Sequence, residues 1–291
     1  MNVWILCNEG AGRGLSAEDV RDLAERAGHT VVGVAKEYDA GTPLADRHID
    51  VVVAAGGDGT VATVAGIAFR TGAALAILPL GTANNIATTL GIEGSAGELI
   101  ASWTTARRLP LDLGFARAGS KEWLTVEGAG GGLVPAGIAT AEVALRHQND
   151  AEPTAELASA VRCFRDALLY LEPRTWTLIV DGKKISKTFL LFEVLNIRSV
   201  GPNLVFAPDA DPSDGFFDLI AAEPSHRDEL MSYLENRAEG RDAVLSLPRS
   251  HAREVVIESC AELHIDDERI DTCDLGAVSI RIEPAAITVL V

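Results

Sequence analysis

The run Val51-Val52-Val53-Ala54-Ala55 is apolar throughout and ends on Gly56-Gly57-Asp58-Gly59-Thr60, after which Val61, Val64, Ala65 and Ala68 recur at helical spacing as far as Gly72. A strand without polar alternation is buried on both faces, and one that feeds a helix belongs in a parallel sheet with helices on each side. Neighbouring segments repeat the pattern. Val3 to Cys7, Thr30 to Ala35 and Ala73 to Leu78 read as three further strands. Ser16 with Asp19 makes a capping-box start to a helix whose inner face is Val20, Leu23, Ala24 and Ala27, stopped at Gly28. Ser95 with Glu98 opens another, turning Leu99, Ile100 and Trp103 inward. The first hundred residues are predicted to form an α/β unit.

Near Leu109 the pattern changes to strands joined by turns. Strands are expected at Leu109 to Phe115, Trp123 to Glu127, Trp176 to Val180, Thr188 to Ile197, Phe216 to Ala221, Arg253 to Ile257, Leu263 to Asp266, Val278 to Ile282 and Ile287 to Val291. Asp181-Gly182 is a hairpin signal. Helices are expected from about Thr154 to Leu171 and from Pro224 to Asn236. Apolar residues between Leu133 and Leu171 suffice for one or two amphipathic helices, and Gln148 to Thr154 reads as a mobile surface loop. The second unit is therefore mostly antiparallel β.

Composition narrows the function. Lys+Arg 25 against Asp+Glu 42 leaves a net charge of −17, which repels nucleic acid and disfavours adsorption to anionic lipid through a basic patch. No apolar run approaches the ~20 residues that span a bilayer. The N-terminus lacks the basic and apolar regions of a signal peptide, so the expected location is the cytoplasm. The four cysteines, Cys7, Cys163, Cys260 and Cys273, include no C-x-x-C, and the six histidines no H-x-x-x-H. Neither a zinc site nor a disulfide framework is expected.

Chemistry concentrates on the turns that close the strands. Gly56-Gly57-Asp58-Gly59-Thr60 joins a buried strand to a helix, where unpaired N–H groups favour a phosphate and glycines let the backbone come close. Gly57 to Ala62 fits G-x-G-x-x-A, but the next acid after Asp58 is Glu93, so no carboxylate lies about 20 residues on to hold a ribose. A glycine-lysine-serine/threonine triplet is also absent. A carboxylate on a phosphate-binding turn repels its ligand unless a divalent cation or a substrate proton intervenes. Pro79-Leu80-Gly81-Thr82-Ala83-Asn84-Asn85 closes the adjacent strand in the same way, offering Thr82 and Asn84 beside Thr60 as neutral phosphate donors. Asn8-Glu9-Gly10-Ala11-Gly12-Arg13-Gly14 closes the first, with Arg13 either a phosphate cation or a solvated surface residue.

The two central turns together resemble the catalytic domain of the diacylglycerol kinase and sphingosine kinase family, particularly its bacterial lipid kinases. NAD kinases and phosphofructokinases carry similar glycine-aspartate turns; the second motif discriminates. The similarity continues through Leu111-Asp112-Leu113-Gly114, Ala207-Pro208-Asp209-Ala210 to Asp218, Ile265-Asp266-Asp267-Glu268, and Pro284 to Val291. It implies an NAD-kinase-like α/β domain over about 1–112, to which 284–291 returns, and a β-sandwich domain over 113–283 on the acceptor side. ATP would lie in the cleft between them. The implied activity is ATP- and magnesium-dependent phosphorylation of a lipid hydroxyl, with diacylglycerol or a similar neutral lipid met at the membrane surface.

By matching motif, Asp58 would be a catalytic acidic residue near the γ-phosphate and magnesium, and Asp112 part of a carboxylate and water network around the metal. Asp266 and Glu268 would take the acceptor proton, Glu268 as the base. Asn8, Arg13, Gly56, Gly57, Gly59, Thr60, Gly81, Thr82 and Asn84 would line the nucleotide, and Asp211 with Asp214 could hold a second magnesium or form a plain acidic turn. The chain departs from the family pattern at Asn85, where many relatives carry aspartate, at Glu9 in place of a proline, and at Asp267 in place of a glycine. Two alternatives stay open: a kinase of a soluble alcohol such as a nucleoside or NAD-like acceptor, and a nucleotide-binding regulatory protein without turnover. Exposed edge strands of the β domain could pair into a homodimer.

Overall fold

In the computed structural model, which describes residues 1–10, 15–37, 44, 48–144 and 153–291, the chain divides into two units, Met1–Leu113 with Pro284–Val291 and Gly114–Glu283. The first unit runs β1 (Asn2–Cys7), α1 (Ala17–Arg26), β2 (Thr30–Ala35), β3 (Val51–Gly56), α2 (Asp58–Thr71), β4 (Ala74–Pro79), α3 (Asn85–Leu90) and α4 (Ala96–Ser102), and ends in β5 (Arg108–Ala118), which leads onward. Its sheet has the order β2-β1-β3-β4 with every pair parallel. The chain's last residues add beside β4 through Val289 and Leu75.

Every residue of β3 is buried, as its unbroken apolar sequence requires. Val3, Ile5, Val20, Ala24, Val53, Leu78, Ile100 and Trp103 join one core. Burial of each large aliphatic side chain stabilises by about 1.5–3 kcal/mol. Both expected capping boxes form, Ser16 with Asp19 and Ser95 with Glu98. Glu9, in the proline position, accepts from the Ala17 N–H at 3.0 Å and pairs with Lys36 at 2.7 Å, so its carboxylate satisfies an early donor of α1.

The second unit continues with β6 (Lys121–Thr125), β7 (Gly128–Gly132), α5 (Leu133–Ala144), α6 (Pro153–Tyr170), β8 (Arg174–Val180), β9 (Lys183–Phe189), β10 (Leu191–Leu195), β11 (Ser199–Val200), β12 (Leu204–Val205) and β13 (Phe217–Ala222). A 3-10 turn at Pro224–His226 enters α7 (Arg227–Ala238), followed by β14 (Arg249–Ala252), β15 (Glu254–Ile257), β16 (Glu262–Ile265), β17 (Glu268–Asp271) and β18 (Val278–Leu290). Antiparallel strands in the order β14-β13-β10-β7-β16-β17 form one sheet. Trp176, Phe192, Val194, Phe217, Val255, Leu263 and Ile280 belong to a core shared with the β8, β15 and β18 layer, which makes the unit the expected β-sandwich. α5, α6 and α7 form a second core around Phe164, Leu191, Leu195, Leu230 and Tyr233.

Four local expectations are corrected. The glycine run 128–132, not among the expected strands, is strand β7, held by β10 and β16 on its two sides. Thr188 to Ile197 is two strands: Leu190 breaks the run and donates to the Ala222 carbonyl at 2.7 Å, and β9 and β10 lie in different sheets. Val278 to Val291 is nearly one strand, bent at Ala285, whose φ is 48°. Cys260 and Cys273 form a disulfide, with Cα atoms 4.2 Å apart. Each lies two residues beyond the Glu262 and Asp271 pair of the β16–β17 hairpin, so hairpin register places them opposite each other. Asp181 and Gly182 both have positive φ, 46° and 80°, as a two-residue hairpin turn demands. The expected loop Gln148 to Thr154 lies outside the described residues as far as 152, and its last two residues begin α6. Among the described residues no helix is long and apolar enough to cross a membrane.

Candidate active site

In the first unit the two central turns touch. The Leu80 N–H donates to the Gly56 carbonyl at 3.0 Å. A Cβ on Gly81 would lie 2.5 Å from the Gly57 Cα, and one on Gly57 would lie 3.3 Å from the Gly81 Cα. The glycines are needed here for close backbone approach. Asp58, first residue of α2, bridges the turns: its Oδ2 accepts from the Asn85 N–H at 2.9 Å and its Oδ1 from the Ile86 N–H at 3.0 Å. Asn84, at the start of α3, has φ 51° and gives that helix no side-chain cap, so the Asp58 carboxylate serves instead.

The other candidates of this unit fall on or beside the two turns. Asn84 closes the second turn on itself, accepting from the Gly81 N–H at 3.0 Å and donating to the Gly81 carbonyl at 2.6 Å. Thr60 is buried over Gly56, while Gly59 is exposed and Thr82 half-buried. Asn8 is exposed after β1 and accepts from the Gly10 N–H at 3.0 Å. Arg13 lies outside the described residues. Asp112 is fully buried, and its Oδ1 accepts from the Ala285 N–H at 2.6 Å, holding the left-handed bend of the last strand. Asn85, one of the expected departures from the family pattern, is 1% exposed and contributes its backbone donor to Asp58. Gly81→Ala is expected to destabilise the protein by about 1–3 kcal/mol, since backbone must yield to the new methyl. A chemical denaturation midpoint equal to that of the wild type would refute the contact.

In the second unit Asp266 and Asp267 form the two-residue turn between β16 and β17, and they separate the roles of Asp266 and Glu268. Asp266 is the left-handed residue, with φ 49°; Asp267 is exposed and does not take positive φ. The Asp266 carboxylate accepts from the Thr125 hydroxyl and from the N–H groups of Val126 (3.1 Å), Glu127 (3.0 Å) and Gly128 (3.1 Å). Burial pushes this carboxyl above the usual range against the pull of those four donors. Glu268 is exposed, and its Oε1 accepts from the Trp123 indole N–H at 3.4 Å. One carboxylate is built into the fold; the other is available to a reactant.

The sequence reading missed two fully buried groups in the same unit, Glu193 and His264, whose Oε2 and Nε2 are 2.7 Å apart. A lone acid in the apolar run around it signals that a buried partner exists, without naming which. Asp211 and Asp214 are exposed and close their own turns, Asp211 on Ser213 and Asp214 on the Phe216 N–H. Among the described residues no three His, Cys, Asp or Glu side chains gather as a metal cluster.

The family model of the diacylglycerol kinase catalytic domain matches residues 2–116, and that of the YegS C-terminal NAD kinase beta sandwich-like domain matches residues 132–291. The chain belongs to the diacylglycerol kinase family. As a diacylglycerol kinase-like enzyme it is a kinase of a lipid-like substrate. It is 26% identical over 305 residues to a diacylglycerol kinase of Mycobacterium tuberculosis strain H37Rv, a match that covers 99% of this chain and 94% of the relative. A probable lipid kinase YegS-like of Stenotrophomonas maltophilia strain K279a is 28% identical over 245 residues, 77% of this chain and 74% of its own. A crystal structure of a diacylglycerol kinase from Bacillus anthracis strain Sterne superposes with a TM-score of 0.70 at 18% identity, covering 99% of this chain and 96% of that one. At that identity the superposition speaks for the fold.

Proposed function

We propose that this lipid kinase transfers the γ-phosphoryl group of ATP to the hydroxyl of diacylglycerol or a similar neutral lipid at a membrane surface. The observation that supports the reading is the backbone contact of Gly57 with Gly81, which brings two glycine turns together with no room for a side chain between them. Phosphates suit such a place, because glycine turns at strand ends and helix starts offer N–H groups at close range. Phosphoryl transfer asks mainly for positioning, charge neutralisation and one oriented carboxylate.

In this reading the turns at Gly56 to Thr60 and Gly81 to Asn84 bind and orient the phosphates. Asp58 locks the turns together through its two accepted N–H bonds. A nucleotide-borne magnesium would be held mainly by the phosphates, with Asp58 and Asp112 as the candidate carboxylates, and would supply neutralising charge. Glu268, exposed at the start of β17, takes the proton of the acceptor hydroxyl. Asp266 holds the turn and takes no proton. Asp211 and Asp214 have no part in the transfer.

The test incubates the protein with γ-labelled ATP, magnesium and a total lipid extract, then identifies the labelled product. A labelled phosphomonoester of a neutral glycerolipid is expected. Label only in a soluble phosphate ester would overturn the choice of acceptor.

A further inference from the structure

Glu193 and His264 stand on either side of Gly130, one on β10 and one on β16, each in register with that glycine of β7. A side chain at position 130 would collide with the Glu193 carboxylate, so glycine leaves the gap across which the two groups meet. On its other side the His264 ring is fixed as well: Nδ1 lies 2.8 Å from the Asp266 carbonyl. A carbonyl only accepts, so Nδ1 carries a hydrogen. Nε2 then either donates to a Glu193 carboxylate or accepts from its carboxyl, and both arrangements give a net neutral couple sharing one proton. Burial alone pushes the Glu193 carboxyl up. Burial pushes the His264 ring down, but the Glu193 charge and hydrogen bond with the Asp266 carbonyl outweigh it and raise the ring.

Stability does not account for the couple. A buried ion pair replaced by apolar side chains of similar size often leaves a protein equally or more stable. Glu193 Oε1 has no hydrogen-bond partner within the described protein, which adds a cost. What the couple does fix is the peptide leaving Asp266, a residue held at φ 49° two positions before Glu268. The Asp266 N–H, donating to the Gly128 carbonyl at 2.8 Å, and its carboxylate pin one side of that residue. His264 pins the carbonyl on the other.

We propose that Glu193 and His264 are positioning residues for the phosphotransfer step, holding the Asp266 carbonyl so that the turn aims the Glu268 carboxylate. This rests on the reading of Glu268 as the group that takes the acceptor proton. A misplacement of about 1 Å at a reacting group can cost on the order of 10²-fold in rate.

The test compares the full-length wild type with Glu193→Gln and with the double variant Glu193→Leu, His264→Leu, by thermal melting, by steady-state phosphorylation of diacylglycerol in mixed micelles, and by hydrogen exchange of the 262–271 hairpin. Glu193→Gln keeps a neutral hydrogen-bonded chain to His264 and should hold kcat within about threefold. The double variant should melt at or above the wild-type temperature yet lose about 10²-fold in kcat, with KM for ATP within about twofold. If the double variant does not fold, Glu193→Gln with His264→Leu, which removes the ring that holds the Asp266 carbonyl and leaves no buried charge, is read in its place with the same kcat expectation. A folded variant lacking the couple but retaining wild-type kcat overturns the proposal. Should the wild type transfer no phosphate, the proposed function fails, and hydrogen exchange decides separately. Hairpin exchange about tenfold faster in the variant lacking the couple than in Glu193→Gln supports the holding role, and equal exchange overturns it.

Discussion

Glu268→Gln is expected to lower kcat for lipid phosphorylation by about 10²- to 10⁴-fold while leaving KM for ATP within about twofold, because a general base typically contributes that much and only in the transition state. The amide matches the carboxylate in size and can still accept the Trp123 indole hydrogen bond, so the substitution removes proton acceptance and little else. Glu268 is also exposed, which leaves no buried network to collapse. Steady-state kinetics with saturating lipid check it. A kcat within tenfold of the wild type would remove Glu268 from the chemistry and with it the reason to hold the Asp266 turn.

Asp266→Ala has the largest expected effect on stability. It leaves the N–H groups of Val126, Glu127 and Gly128 without the acceptor they converge on, while the Thr125 hydroxyl keeps the Gly128 carbonyl at 3.0 Å. Each of these three buried donors left unsatisfied costs about 1–3 kcal/mol, so the sum is at least about 3 kcal/mol, a large part of the ~5–15 kcal/mol that holds a typical domain together. The small side chain also loses a residue tolerant of left-handed backbone. Denaturant unfolding should show a much lower midpoint with an unchanged slope. Asp266→Asn, which keeps one acceptor oxygen, should fall between. If alanine and wild type unfold at the same midpoint, the carboxylate does not hold the turn.

The α/β unit was legible because its signals are local. Val51 to Ala55 is apolar without alternation and is buried without exception. Ser16 with Asp19 and Ser95 with Glu98 are three residues apart and form capping boxes in the structure. The β unit was less legible where pairing decides the outcome. Gly128 to Gly132 carries no side-chain periodicity, so nothing in its sequence says strand; its strand character comes from β10 and β16. Cys260 and Cys273 meet only because the β16–β17 register sets them opposite, which their spacing alone does not reveal.

The candidate site shows the same division. Gly57, Asp58 and Gly81 stood out by composition, yet the backbone contact of the turns and the capping of α3 by Asp58 are long-range facts. Asp266 and Glu268 look alike in sequence, two carboxylates separated by one residue. Burial and four donors separate them, and burial depends on which face of a hairpin packs inward. Glu193 and His264 lie 71 residues apart, so their pairing across Gly130 is invisible until three strands align.

The account stands most directly on the balance of the reaction. With ATP, magnesium and a purified diacylglycerol in micelles, the protein should form one phosphorylated lipid for each ADP released, and neither product should appear when the lipid is left out. ADP release that is independent of the lipid, or bound nucleotide without any phosphorylated lipid, would contradict it.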